Sequence, residues 1–299
     1  MIRPGPRNSL TDVAGLLVGN AVDATARTGV TVVLAERATL TAADVRGGAP
    51  DTINTDALRA GGLIQKVDGV VLSGGSVFGL EAATGLVGWL AARGRGFAGL
   101  GPCLPIVTGA ILFDLLNGGE KGWGNTASAL DAATGITVSA LVAANPVGPV
   151  TMPGSGTMWA WHLEQAGELG GQAAPRDATG HAFETKRGIG MNTTIGVVAT
   201  DAALDHGALQ RLAAMAQGGY AYAIRLIHTP FDGDAVFALA TGAVPLPDKP
   251  DALVRLGAIA ADVVARAVMR SVYEAETLGE SVAYRRTWSR PPTAAARGC

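Results

Sequence analysis

The residues with the clearest chemical potential lie at Gly188-Ile-Gly-Met-Asn-Thr-Thr-Ile-Gly196, where a glycine-rich stretch runs into β-branched residues. A threonine hydroxyl at such a junction can attack the carbonyl of the preceding residue and convert that peptide bond into an ester. Water then leaves Asn192 at the end of one fragment and Thr193 as the new N-terminus of the other. The α-amine so created has an ordinary pKa near 7.7–8.0, against about 10.4 for lysine. A useful fraction is therefore unprotonated at neutral pH and can serve as base for its own hydroxyl. Such proton transfer is worth about 10²–10⁴-fold in rate. The plain alternative is a turn followed by a strand. Asn192-Thr193-Thr194 also matches a glycosylation sequon, which has no role in a cytoplasmic protein.

Phe231-Asp-Gly-Asp234 carries two carboxylates two residues apart. One can orient a threonine amine while the other holds a cationic substrate. An Asp-Gly hairpin turn is the competing reading, and the acidic spacing of a calcium loop is missing. Asn145-Pro146-Val147-Gly148 reads as a turn after a strand, and its side-chain amide can donate to an oxyanion. Ser73-Gly-Gly-Ser76 mimics a phosphate loop but has no lysine and fits neither the dinucleotide fingerprint nor the nucleophile elbow. Close packing of a helix on a strand explains it better. The four histidines (His162, His181, His206 and His228) show no metal spacing and are expected in surface or structural roles. No metal site and no cofactor is expected.

These groups need elements to hold them. Short β-branched or apolar runs predict strands at Val30–Leu34, Gly69–Leu72, Ile136–Val142, Thr193–Thr200 and after Asp234. Leu80, Ala83, Leu86 and Leu90 recur at helical spacing, with Gly94 as a stop. Asp201 is expected to cap a helix running to Gln217, and Asp251–Ala275 a long amphipathic helix. Pro105–Leu116 is ambiguous between strand and helix. From Gly148 to Gly190 the composition turns to glycine, proline, threonine and charge, which predicts an exposed connector, although Trp159 and Trp161 within it suggest that it packs somewhere. Strands and helices mix without strict alternation, favouring a layered α/β or α+β sandwich over a doubly wound sheet.

Composition narrows the function further. The chain has 299 residues, 48% hydrophobic and 16% charged, with a formal net charge of −2. That is the balance of a globular protein, not of a disordered one. It lacks the clustered basic surface that nucleic acid requires. The densest arginines (Arg285, Arg286 and Arg290) lie in a proline-rich tail. Cys103 and Cys299 are the only cysteines, too few for a disulfide framework or a zinc site, and Cys103 is expected as a small buried hydrophobe. No signal peptide and no membrane span is read, so a cytoplasmic protein is expected.

Taken together, RGGAP at Arg46–Pro50, LSGGSVFGLEAA at Leu72–Ala83, ANPVG at Ala144–Gly148, NTTIGVVATDA at Asn192–Ala202 and FDGD at Phe231–Asp234 form an ordered set. The chain resembles, from Leu10 to Ala275, the self-processing peptidase family of the L-aminopeptidase/D-amidase–esterases, the β-aminopeptidases and the nylon-oligomer hydrolase. The resemblance implies an αββα sandwich related to Ntn-hydrolases. It also implies one domain cleaved into fragments 1–192 and 193–299 that stay associated, commonly in tetramers of such pairs. Thr193 would be the nucleophile, Asn145 the residue near the oxyanion, and Asp232 and Asp234 the acidic pair. Phe113 and Ser76 are the candidate substrate-binding residues, and the substrate is a small peptide or aliphatic amide.

Two departures stand out. The family members compared have a tyrosine where this chain has Phe113, which lacks the hydroxyl. They also have a long glycine-rich stretch with a lysine before the Ile136 strand. Here only Leu115–Leu130 stands in its place, and Lys121 is not an obvious counterpart. Two other readings stay open: an acyltransferase of the glutamate/ornithine acetyltransferase type, and a folded relative that no longer processes.

Overall fold

The structure is a computed structural model and describes residues 3–23, 27–59, 61–98, 102–114, 126–131, 136–175, 192–247, 251–277 and 282–288. Its strands are β1 (Arg3–Pro4), β2 (Leu16–Asp23), β3 (Thr28–Val45), β4 (Thr52–Ile53), β5 (Lys66–Ser73), β6 (Val107–Ile111), β7 (Thr126–Asp131), β8 (Thr137–Asn145), β9 (Thr193–Ala203) and β10 (Ala235–Pro245). The α-helices are α1 (Glu81–Ala91), α2 (His206–Ala216), α3 (Gly218–Ala223), α4 (Ala252–Glu274) and α5 (Tyr284–Trp288).

Hydrogen bonding runs through the strands in the order β1-β7-β8-β9-β10-β3-β5-β6-β4, with β2 also on β3. The pivot is β3. Its first half pairs with β2 and β5, its second half with β10, and the register to β5 shifts between Leu34 and Thr39. The strand therefore belongs to two layers, and the predicted Val30–Leu34 was only its first part.

Side-chain alternation decides what each layer covers, because successive residues of a strand face opposite sides. On β9, Ile195, Val197 and Ala199 pack with Phe237 and Leu239 of β10 against Val33, Val70 and Leu72 of the other layer. The opposite face presents Val198 and Ala202, which pack with Val236 and Ala238 against Leu209, Leu212, Ile259 and Val263 of α2 and α4. Beyond the second sheet, Val71 and Val107 meet Ala83 and Leu90 of α1. Three apolar interfaces between four layers give the αββα order. The long helix is found as expected, and no helix among the described residues is long and apolar enough to cross a membrane.

Four expectations are corrected. Asp201 lies inside β9 and accepts the backbone N–H of Thr137 at 2.8 Å; the helix cap is Asp205, whose carboxylate accepts from Ala208 at 2.7 Å. Asp-Gly at 232–233 does not turn a hairpin, since β10 runs parallel to β9 after the α2–α3 crossover. The connector is partly core: Val150, Met158, Ala160 and Leu169 are buried under α4, because a polar stretch still places its few large apolar groups out of water. Cys103 is half-buried. Lys121, His181, Cys299 and the connector at 176–191 lie outside the described residues.

Candidate active site

Thr193 opens β9, whose flanks are β8 on one side and β10 on the other. A run of threonine, isoleucine and valine suits a strand buried on both faces. Asn192, Thr193 and Thr194 are accordingly at most 4% exposed. The Thr193 hydroxyl donates to the carbonyl oxygen of Asn192 at 2.6 Å. The hydroxyl oxygen thus lies against the carbonyl group of the residue before it. Neither polar atom of the buried Asn192 side chain has a hydrogen-bond partner among the described residues. An amide left in this condition costs about 1–3 kcal/mol, which cleavage and departure of Asn192 would relieve.

The parallel pairing of β9 and β10 sets the start of one beside the start of the other, and this is what brings the acidic pair to the junction. Asn192 bridges Asp232 directly. Asp234, fully buried, accepts the N–H of Thr194 at 2.8 Å through one oxygen. Its other oxygen accepts the backbone N–H of His228 at 3.0 Å and meets the ring Nδ1 of His228 at 2.8 Å. Asp232 accepts the N–H of Thr229 at 2.8 Å. Burial pushes the Asp232 carboxyl above the usual aspartate range; hydrogen bonds from Thr229 and from the Val147 N–H pull it down, and the charge of Asp234 pushes it up again. Behind the pair lies the buried Tyr220, which donates to the Ala235 carbonyl at 3.2 Å. Its hydroxyl is held well above the ordinary tyrosine range by burial and by Asp234.

RGGAP is the clasp of this loop. Arg46 N–H donates to the Asp234 carbonyl at 2.7 Å, Ala49 N–H to that of Asp232 at 2.9 Å, and Gly48 N–H to that of Thr229 at 3.2 Å. A Cβ on Gly47 would stand 2.2 Å from the Asp232 carbonyl oxygen, and one on Gly233 would stand 2.4 Å from that of Ala49. Only glycine permits so close a backbone approach. The sequence showed this motif without its purpose, since nothing local says what two glycines will lie against.

On the other flank, Asn145 ends β8 directly opposite Thr193. Its amide donates to the Phe113 carbonyl at 3.3 Å, and the Ser76 N–H donates to the Leu112 carbonyl at 3.0 Å. The Ser73–Ser76 loop is tied down by Asp114, which accepts the Gly75 N–H at 2.7 Å and the Thr28 hydroxyl at 2.8 Å. Thr193, Asn192, Asn145, Asp232 and Asp234 therefore converge, with Phe113 and Ser76 adjoining through backbone contacts. His228 was missed: expected in a surface or structural role, it is seated on Asp234. Its place six residues before Asp234, in the same loop, was the one available hint. Among the described residues no group of three or more histidine, cysteine, aspartate or glutamate side chains is placed to hold a metal ion.

The peptidase family S58 model matches residues 8–135 and 118–284. An uncharacterized aminopeptidase of Mycobacterium tuberculosis is 37% identical over 337 residues, covering 93% of this chain and 97% of its own. The alignment is longer than this chain, so the relative carries residues that are missing here. The two family segments overlap at 118–135, where the glycine-rich stretch is short. The 6-aminohexanoate-oligomer endohydrolase of Agromyces is 25% identical over 315 residues, covering 87% of this chain and 84% of its own. The fold is shared with solved structures at low identity. A Burkholderia β-aminopeptidase superposes with a TM-score of 0.63 at 20% identity, over 98% of this chain and 97% of its own. The L-aminopeptidase D-Ala-esterase/amidase of Ochrobactrum anthropi, described as a variant of the Ntn-hydrolase fold, gives 0.62 at 19%, over 95% and 93%. By sequence and by fold together, this chain belongs to peptidase family S58.

Proposed function

We propose that the chain is an amide hydrolase of the aminopeptidase or amidase type that cuts itself between Asn192 and Thr193 and then works through Thr193. The observation that carries this reading is the Thr193 hydroxyl, buried and 2.6 Å from the Asn192 carbonyl oxygen, with two carboxylates within the same cluster. In the first step the Thr193 oxygen bonds to the Asn192 carbonyl carbon, the C–N bond breaks, and the nitrogen takes up the proton as the α-amine. Water hydrolyses the ester and frees Asn192 as a carboxylate. In turnover the amine accepts the hydroxyl proton as Thr193 attacks the substrate carbonyl, and returns it to the departing amine. Water then releases the acid. Asn145, paired with Thr193 across β8 and β9, is the amide that would donate to the oxyanion.

The fragments 1–192 and 193–299 would remain together after the cut. β8 and β3 belong to the first and β9 and β10 to the second, so both share one hydrogen-bonded sheet and one core. Assembly of such pairs into a homo-oligomer belongs to the same reading. The substrate class, a small peptide or aliphatic amide with a free amine, is supported by the names of the mycobacterial and Agromyces relatives.

Intact-mass measurement of the purified protein tests the reading. Two masses are expected, for fragments beginning at Met1 and Thr193, together with amidase activity. Thr193→Ala should stay whole and inactive. A wild-type chain that remains whole and hydrolyses no aminoacyl amide overturns it.

A further inference from the structure

A nucleophile on a strand is only as well placed as the backbone beside it, and here that backbone is paired to β8 on one side and held by a carboxylate on the other. Asp234 fixes the amide of Thr194, one residue past Thr193, through one oxygen at 2.8 Å. What keeps Asp234 in that orientation is its other oxygen, which takes both the N–H of His228 and its ring Nδ1. An ionised carboxylate only accepts hydrogen bonds, so the ring presents Nδ1–H to it. We infer that His228 is a positioning residue for Thr193, acting through Asp234; this rests on the self-cleaving hydrolase reading above.

The local backbone supports the assignment. His228 has φ 56°, in the left-handed region that few residues with a Cβ adopt, histidine among those that enter it more often than most. In that conformation its own N–H and its own ring meet the same Asp234 oxygen. Backbone outliers of this kind persist where the surroundings over-determine them, and they concentrate at functional sites. The clasp from Arg46 and the neighbouring bond from Thr229 to Asp232 hold the same loop. The ring remains partly open to solvent while the carboxylate it serves is almost wholly buried.

With the ring removed, Asp234 keeps one donor on that oxygen and is free to swing away from Thr194. A displacement near 1 Å at reacting atoms costs about 10²-fold, so His228→Ala should lower kcat by about 10–100-fold while KM changes little. The test is a three-variant series, His228→Ala, His228→Asn and His228→Asp, read by self-cleavage rate and by kcat and KM on an aminoacyl amide. Asparagine places an N–H donor where Nδ1 stood and tolerates positive φ, so it should restore both rates to near wild type. Aspartate has the same shape but puts a carboxylate against Asp234, and should be at least as poor as alanine. This order (Asn active, Ala and Asp slow in kcat) separates positioning from bulk, and comparing the isosteric Asn and Asp variants keeps the test meaningful should alanine fold poorly. A wild-type chain that stays whole and inactive removes the hydrolase reading and this inference with it. A wild-type chain that cleaves, with His228→Ala equally fast or His228→Asn no better than His228→Ala, removes this inference alone.

Discussion

Asn145 and Thr193 face each other across the antiparallel pair of β8 and β9, the last residue of one strand against the first of the other. The pairing places an amide donor beside the proposed nucleophile on backbone that is hydrogen-bonded on both sides. Asn145→Ala should therefore lower kcat by about 10²–10³-fold, the effect of losing one oxyanion donor, with little change in KM. Steady-state kinetics on an aminoacyl amide checks it, and self-cleavage should slow in parallel.

The clasp at Arg46–Pro50 gives a second expectation. Gly47 has φ +91° and no room for a Cβ beside the Asp232 carbonyl. Gly47→Ala should cost about 1–3 kcal/mol for the backbone conformation alone, with the clash in addition. Denaturant unfolding measures the loss, and mass analysis should show slower cleavage because the acidic loop moves with the clasp.

Asp232 makes stability depend on pH. Its carboxyl is raised in the folded state, chiefly by burial, so the native protein holds that proton more tightly than the unfolded chain. The stabilising contribution is full below the ordinary aspartate pKa of about 3.9 and is lost as pH rises through the raised value. Asp232→Asn removes this titration. The Tm of the variant relative to wild type should therefore rise as pH increases above about 3.9, while its activity falls.

Far from the site, Arg266 of α4 is fully buried and bonded to Glu168 of the connector at 2.7 Å, with Asn8 beside both. Glu168→Ala removes the carboxylate bonded to this buried guanidinium and should cost about 3–5 kcal/mol. Glu168→Leu with Arg266→Met should cost much less. In processed protein the same pair spans the two fragments, so fragment dissociation in denaturant should follow the same order.

Much of this was legible in the sequence, and the reasons differ by element. β5, β8, β9, α1 and α4 announce themselves through local periodicity, because what buries them is their own pattern of apolar residues. The junction and the acidic pair are visible as residue types, since only certain side chains carry that chemistry. Asp201 was misread for a physical reason: an aspartate beside a helix-forming run looks like a cap, and only pairing with β8 and β10 keeps the strand going to Ala203.

By itself, then, the sequence determined β5, β8, β9, β10 and the first part of β3, the chemistry available at Thr193, Asp232 and Asp234, and a layered fold with an apolar core. Tertiary structure alone decided their meeting. The parallel register of β9 and β10 sets Asn192 beside Asp232, the bend of β3 brings Gly47 onto the acidic loop, and a left-handed backbone turns His228 onto Asp234. Those contacts join residues far apart in the chain or depend on one unusual dihedral, and local propensity carries information about neither.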